Sequence, residues 1–152
     1  MNRILQLHHG ITRFDTHINA WAGSLLSLAI RLFIGWQFFK AGMLKVDDWG
    51  ATLALFQHEY DVPLLPPSLA AILGTAGELV FPILLAAGLF TRPAALGLFA
   101  VNAMVLLSYP ALWEFECPAA VRDHLYWGAL LLVPLAFGPG RIAIDDWLAK
   151  PR

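Results

Sequence analysis

The sequence has little of what soluble enzymes and nucleic-acid-binding proteins use. Its 152 residues include one cysteine, Cys117, which excludes an internal disulfide and a CxxC redox pair. Only 14% of the residues are charged and the formal net charge is −1, so the chain has no basic surface for nucleic acid. It also has no phosphate-binding loop, dinucleotide fingerprint or nucleophile elbow. These absences exclude the commonest nucleotide-dependent and disulfide-stabilised classes.

Long apolar runs are what the chain has in abundance. Hydrophobic residues make up 59% of it, whereas soluble domains contain about 45–50%. A membrane-spanning helix needs about 20 mostly apolar residues. Four segments qualify, at about residues 22–44, 68–90, 93–113 and 124–138, the last being shorter but continued by an uncharged Gly-Pro-Gly. We therefore predict an all-α membrane protein, an antiparallel four-helix transmembrane bundle that forms a single domain over residues 1–152.

The basic residues of the short flanking segments predict the orientation of this bundle. Lysine and arginine are in excess in the cytoplasmic flanks of membrane proteins. One side of the predicted bundle carries both termini and the turn after the second span, with the basic residues Arg3, Arg13, Arg92, Arg141, Lys150 and Arg152. The opposite side is mainly acidic. Both termini are therefore expected in the cytoplasm.

Two short amphipathic helices are predicted outside the spans. Near the N-terminus, helical spacing places four apolar residues on one face: Ile11, Phe14, Ile18 and Trp21. In the first outer loop the same spacing relates Trp49, Leu53, Phe56 and Tyr60. Asp47 or Asp48 can cap this second helix, because a side-chain carboxylate accepts from the free N–H groups of a first turn.

Two opposite charges lie inside the predicted spans. Arg31 is in the first span and Glu78 is in the second, where an isolated charge costs about 2.5–3.5 kcal/mol on insertion scales. Each lies on a helix face that carries two glycines, which permit close helix approach. Counted from the cytoplasmic ends of the spans, their depths differ by roughly 5 Å, which a long arginine side chain can bridge. We therefore predict that Arg31 pairs with Glu78.

The role of this pair has two interpretations. It is either a structural ion pair that fixes helix register, or a functional site in which Glu78 carries protons or lines a polar ligand pocket with Arg31. Lys45 shares the helical face of Arg31 at the outer mouth and could attract an anion or pair with the acidic outer loops. Asn102 in the third span and His124 at the start of the fourth complete the candidate ligand-binding set, although Asn102 is also suited to an interhelical hydrogen bond.

No metal-ligand spacing motif is present, so no metal site is predicted. Histidine and cysteine are transition-metal ligands, and the weak candidates in or near the outer loops are His58, Cys117 and His124.

Several segments resemble the DoxX family of membrane proteins. They are residues 31–45 (RLFIGWQFFKAGMLK), 77–78 (GE), 88–95 (GLFTRPAA) and 138–145 (GPGRIAID). The resemblance covers about residues 25–146. It implies a four-helix protein that crosses the bacterial inner (cytoplasmic) membrane several times. Arg31, Lys45 and Glu78 are the matching polar positions.

Residues 60–67 (YDVPLLPP) resemble one branch of this family, encoded beside copper-binding, ribosomally made peptides of the bufferin type and their maturation enzymes. This resemblance implies an accessory subunit of a redox or copper-peptide maturation system. Such a subunit lies in the lipid bilayer and works with a membrane or periplasmic protein partner. An oligomer of this chain is also compatible with the sequence. Other members are linked to thiosulfate–quinone oxidoreductase, so quinone is the candidate cofactor and any enzymatic role is that of an oxidoreductase subunit.

Two alternatives remain open. The protein could be a small proton-coupled transporter or exporter component that uses Glu78 as its coupling carboxylate. It could also be a structural membrane scaffold.

Overall fold

The computed structural model describes residues 2–114 and 119–150, with the side chains of residues 21 onward other than that of Ala111. Within these residues the backbone is mostly helical, with short turns and loops between the helices, and contains no strand. The helices are α1 (Asn2–Asp47), α2 (Trp49–His58), α3 (Pro67–Ala87), α4 (Thr91–Ser108), α5 (Ala111–Glu114), α6 (Ala119–Phe137) and α7 (Ile144–Leu148).

Three helical stretches are long and apolar enough to cross a membrane: Trp21–Asp47, Pro67–Ala87 and Thr91–Ser108. They correspond to the first three predicted spans. The described chain is thus nearly all helical, as predicted for a membrane protein. Helix α6 has 19 residues but carries Arg122, Asp123 and His124 near its start. Its crossing of the membrane therefore stays a prediction.

Helix α1 is one continuous helix of 46 residues. The sequence predicted a separate surface helix that ends near Trp21, but the described backbone continues helically through this point, where no proline interrupts the hydrogen-bond ladder. The predicted apolar face at Ile11, Phe14 and Ile18 lies outside the residues whose side chains are described.

Helix α2 confirms the predicted helix in the first loop. The Asp48 carboxylate caps it by accepting a hydrogen bond of 2.9 Å from the Ala51 N–H. Its buried Phe56 packs against Ala70 and Ala71 of α3. Helix α2 therefore folds back over the beginning of α3.

Small residues let α1 and α3 approach closely. A Cβ atom added at Gly35 would lie 3.3 Å from the Pro82 carbonyl oxygen, and one added at Gly42 would lie 2.9 Å from the Leu79 side chain. Since residue numbers rise along α1 while their partners' numbers fall along α3, these two helices run in opposite directions. The apolar core between α1, α3, α4 and α6 is formed by Ile30, Ile34, Phe38, Leu85, Ala94, Ala95, Leu98 and Leu131.

The packing gives the bundle two polar ends. The Arg31 end contains the turn between α3 and α4 (residues 88–90) and the C-terminal segment (residues 138–145). The Lys45 end contains the last turn of α1, all of α2, the beginning of α3 and the end of α4.

Candidate functional site

A close ion pair joins α1 and α3 near the Lys45 end. The Lys45 ammonium lies 2.6 Å from Glu78 Oε1 and 2.5 Å from Oε2, and the Glu78 side chain is only 4% exposed. Gly42 makes room for the pair, because a Cβ atom there would lie 3.1 Å from the Glu78 Cβ. The Thr52 hydroxyl donates to the Lys45 carbonyl oxygen at 2.9 Å and so connects α2 to the same point.

The predicted pairing of Arg31 with Glu78 is wrong. Glu78 lies level with Gly42 of α1, whereas Arg31 lies level with Leu85 and Ala86 of α3. About 16 Å of helix separates Arg31 from Gly42 at 1.5 Å per residue, which exceeds the reach of an arginine side chain. The sequence prediction counted the depths of Arg31 and Glu78 from the cytoplasmic ends of their spans. This gave the wrong register between the two helices, because α1 extends well past the end of α3 at the Arg31 end.

Arg31 instead bonds to carbonyl groups. Its side chain is fully buried, and Nη1 donates to the carbonyl oxygens of Leu85 at 3.2 Å and Ala86 at 3.4 Å, while Nη2 donates to Ile142 at 2.5 Å. The last carbonyls of a helix have no intrahelical partner and carry partial negative charge. Arg31 therefore caps the C-terminus of α3 and fastens the C-terminal segment to it. Among the described residues, its Nε has no hydrogen-bond partner.

Asp145 completes the Arg31 end, and sequence reasoning missed it. Its carboxylate accepts three hydrogen bonds of 2.9 Å, from the Phe90 N–H, the Thr91 N–H and the Thr91 hydroxyl. Partial burial would raise the pKa of Asp145, but these hydrogen bonds and the nearby Arg31 charge outweigh it, so the pKa lies below its ordinary value. The sequence did offer a signal for this role, because Asp145 is the acidic residue that ends the motif at residues 138–145.

The C-terminal segment is also fastened to α1. The Ser27 hydroxyl lies 3.2 Å from the Gly138 carbonyl oxygen and 3.1 Å from that of Pro139. The Arg141 N–H donates to the Ser24 hydroxyl at 3.0 Å. These hydrogen bonds hold the C-terminal segment against α1 at the Arg31 end.

Asn102 and His124 lie together, between α4 and α6. Asn102 is 2% exposed, its Nδ2 donates to the His124 carbonyl oxygen at 2.9 Å, and its Oδ1 lies 2.8 Å from His124 Nδ1. Since an amide oxygen only accepts, the His124 Nδ1 carries the hydrogen in this pair. The interhelical hydrogen bond predicted for Asn102 is therefore confirmed.

A buried hydroxyl lies one helical turn before Glu78. Thr75 is 4% exposed, and its Oγ1 has no hydrogen-bond partner within the part of the chain that the structure describes. Positions 75 and 78 share one side of α3, because residues three apart are neighbours on a helix. Sequence reasoning missed Thr75, since threonine is common in apolar helices.

An open cavity adjoins the ion pair. It has a volume of about 690 Å³ and lies between the last turns of α1 and helix α2. Most of its lining surface is apolar and comes from residues such as Leu44 and Leu55. Its polar groups are supplied by Lys45, Asp48, Thr52, His58 and Glu59. The Lys45 side chain is 15% exposed. A ligand in this cavity could therefore reach the ammonium but not the more deeply buried carboxylate of Glu78.

The described residues contain no group of three or more histidine, cysteine, aspartate or glutamate side chains suited to a metal ion. His58 lines the cavity beside Lys45, and His124 pairs with Asn102. Cys117, the remaining candidate ligand, lies outside the described residues.

Comparison with known proteins gives the family. The DoxX family model matches residues 26–109, more than half of the chain. An uncharacterized protein of Haemophilus influenzae is 30% identical over 134 residues, which cover 84% of this chain and 87% of that protein. No solved structure matches. On the strength of the family match and of its apolar helices, this chain belongs to the DoxX family of membrane proteins.

Proposed function

We propose that this protein is an inner-membrane accessory subunit that binds the head of a quinone beside the Lys45–Glu78 pair. The observation that carries the proposal is a partly exposed ammonium that lines an open, largely apolar cavity while it holds a buried carboxylate. An apolar cleft with few polar groups suits a membrane-soluble ligand with a polar head.

The site differs from the pocket expected from the sequence. A quinone was expected between Arg31 and Glu78, but the guanidinium of Arg31 is committed to carbonyl groups at the other end of the bundle. In this site the Lys45 ammonium donates a hydrogen bond to a quinone carbonyl and passes its proton to that oxygen when the quinone is reduced. The second proton comes from water in the open cavity, and the Glu78 carboxylate favours the reprotonation of Lys45. The electrons come from a membrane or periplasmic protein partner, and Arg31 only positions the helices.

We further propose four membrane crossings with both termini in the cytoplasm. The geometry of α6 supports the fourth crossing. Its His124 pairs with Asn102 of α4, and the Gly138 that follows α6 reaches Ser27 at the Arg31 end. Its 19 residues span about 28 Å, close to the thickness of the hydrocarbon core.

The partner is proposed to dock at the Lys45 end. Residues 60–67, which resemble the copper-peptide branch, join α2 to α3 there. The Asp61 N–H donates to the Ser108 carbonyl oxygen at 2.7 Å, and the Tyr60 and Tyr109 rings stack with centroids 4.8 Å apart. These contacts support a firm, partly aromatic surface for a maturation or redox protein.

Quinone binding to purified protein in nanodiscs tests the proposal. We expect ubiquinone-1 to bind wild type, and Lys45→Met to weaken it by about tenfold or more, because a hydrogen bond to a charged group contributes about 1.5–3 kcal/mol. Lys40→Met is the matched control, since Lys40 lies on the same helix with its side chain exposed and away from this cavity. Binding that is absent from wild type, or equal in the Lys45→Met variant, contradicts the proposal.

A second candidate is a proton-coupled transporter component. The observation that favours it is Glu78 itself, a carboxylate 3% exposed within an apolar helix with one cation as its partner. Proton-coupled flux in liposomes that is abolished by Glu78→Gln would support transport, and flux that survives the substitution would remove this function. A pure scaffold predicts instead that Lys45→Met with Glu78→Leu keeps cellular function, because apolar replacement of a buried pair is often neutral.

A further inference from the structure

A second, separate hollow lies on the outer face of the α1–α3 pair. It is a groove of about 300 Å³ lined by Leu32, Gly35, Trp36, Phe39, Pro82 and Ile83, together with Ala86. The groove exists because Gly35, Pro82 and Ala86 have small or compact side chains between larger exposed ones. It extends over about 10 Å of α1, from residue 32 to residue 39.

A lysine stands where this groove ends. Lys40 follows Phe39 directly, and its ammonium lies 5.8 Å from the centre of the Trp36 ring. Among the described residues, no carboxylate lies within ion-pair distance of Lys40, in contrast to Lys45 and Lys150. Lys40 is exposed, and it lies within the span Trp21–Asp47, about 10 Å before its end. An exposed cation at this depth requires an anion or the headgroup region, which its long side chain can reach.

Lys40 and the groove are arranged in the same order as the head and the acyl chain of a lipid. Seen from Lys40, the groove runs from the headgroup side of the span toward its middle. A phospholipid has the same arrangement, with a charged head and an acyl chain that points to the membrane centre. Trp36 lines the groove and also contacts the ammonium, so it would touch both parts of such a molecule.

We propose that Lys40, Trp36 and the α1–α3 groove form a binding site for an anionic phospholipid. The acyl chain fills the groove, and the lipid phosphate pairs with the Lys40 ammonium. The charge of Lys40 favours an anionic lipid over a zwitterionic lipid or an uncharged quinone. This site does not depend on the proposed function, because the Lys45 cavity and this groove have no lining residue in common.

Native mass spectrometry of full-length protein released from nanodiscs tests the site. The nanodiscs contain equal amounts of phosphatidylglycerol and phosphatidylcholine. We expect about fivefold enrichment of phosphatidylglycerol on wild type, since a lysine near an anionic membrane surface contributes about 1 kcal/mol. Lys40→Gln should remove the enrichment and Lys40→Arg should keep it. Arg122→Gln, which removes an exposed cation on α6, is the matched control and should leave the enrichment unchanged.

A groove variant tests the acyl-chain part. Leu32 is 50% exposed, so Leu32→Trp can fill the far end of the groove without disturbing the core, and it should reduce the number of retained lipids. Equal enrichment in wild type and Lys40→Gln would overturn the proposal. So would a wild-type dimer that Leu32→Trp dissociates, because the groove would then hold a second copy of the chain.

Discussion

At the scale of single residues, two cations of α1, the buried Arg31 and the partly buried Lys45, are stabilised by different partners. Lys45 is neutralised by the carboxylate of Glu78, whereas Arg31 is surrounded by carbonyl groups at the end of α3. Removing one member of a buried ion pair leaves an uncompensated charge, while removing both can be nearly neutral. Single and double substitutions can therefore measure the contribution of the Lys45–Glu78 pair to stability more clearly than that of the Arg31 contacts.

Lys45→Met should lower the free energy of unfolding by about 3–5 kcal/mol, because it leaves the Glu78 carboxylate buried without its cation. Adding Glu78→Leu should restore most of this loss. Denaturant unfolding in detergent micelles, followed by tryptophan fluorescence, measures both. Lys40→Met, on the same helix, should change little. Additive losses in the double variant would show that the two side chains do not stabilise each other.

Gly88→Ala should also destabilise the protein strongly. Gly88 has φ +69°, and a Cβ atom there would lie 2.4 Å from Arg31 Nη1 and 2.5 Å from the Ala143 Cβ. We expect losses of about 1–2 kcal/mol from the left-handed backbone and about 1–3 kcal/mol from overpacking.

Gly23→Ala is the matched control for this substitution. Gly23 lies in α1, and no neighbouring atom of the described residues comes within 4 Å of an added Cβ atom, so alanine there should stabilise the helix by about 0.5–1 kcal/mol. Thermal unfolding in detergent compares the two variants. A Gly88→Ala variant as stable as wild type would mean that the turn and Arg31 can shift without cost.

At the scale of helices, the N-terminus of α4 is capped by a residue that lies far away in the sequence. It has no acidic residue in its first turn, and Phe90 before it offers no side-chain cap. Asp145, more than fifty residues later, supplies the carboxylate instead. By contrast, α2 is capped by the adjacent Asp48, one of the two residues, Asp47 and Asp48, that the sequence offered as its cap; a local cap of this kind can be predicted because the relevant groups are three residues apart.

Asp145→Ala should cost about 0.5–2 kcal/mol, the usual range for a lost N-terminal cap. The pKa of Asp145 lies below its ordinary value, so its stabilisation is present at neutral pH and is lost as the pH falls through the lowered folded-state pKa. Thermal unfolding of wild type and variant should therefore differ at pH 7 and converge in acid. The control is Asp146→Ala, whose ion pair with exposed Lys150 contributes at most about 1 kcal/mol. A difference that stays constant down to low pH contradicts this account.

At the scale of the whole molecule, the C-terminal segment closes the Arg31 end by bonding to α1, to the Gly88 carbonyl oxygen at the end of α3 and to the start of α4. This requires α6 to bring the chain back to the end where the turn between α3 and α4 lies. If the long helices lie across a membrane, residues 57 and 149 are then on opposite sides.

Cysteine labelling in intact cells tests this topology in a Cys117→Ser background. Gln57→Cys, at an exposed position of α2, should react with a membrane-impermeant maleimide from outside. Ala149→Cys should react only after the membrane is permeabilised. Labelling of Ala149→Cys from outside along with Gln57→Cys would show that α6 does not cross.

The sequence by itself determined the local features of this protein. Apolar run length predicted the spans, helical spacing and Asp48 predicted α2, and the motifs around Arg31 and Glu78 indicated the family. Only the tertiary structure decided that Glu78 meets Lys45 and that Arg31 meets carbonyl groups. The physical reason is that two packed helices can slide along each other by several residues without changing either apolar pattern. The contacts of Gly35 and Gly42 with α3, and the fastening of the C-terminal segment to Arg31, select one register.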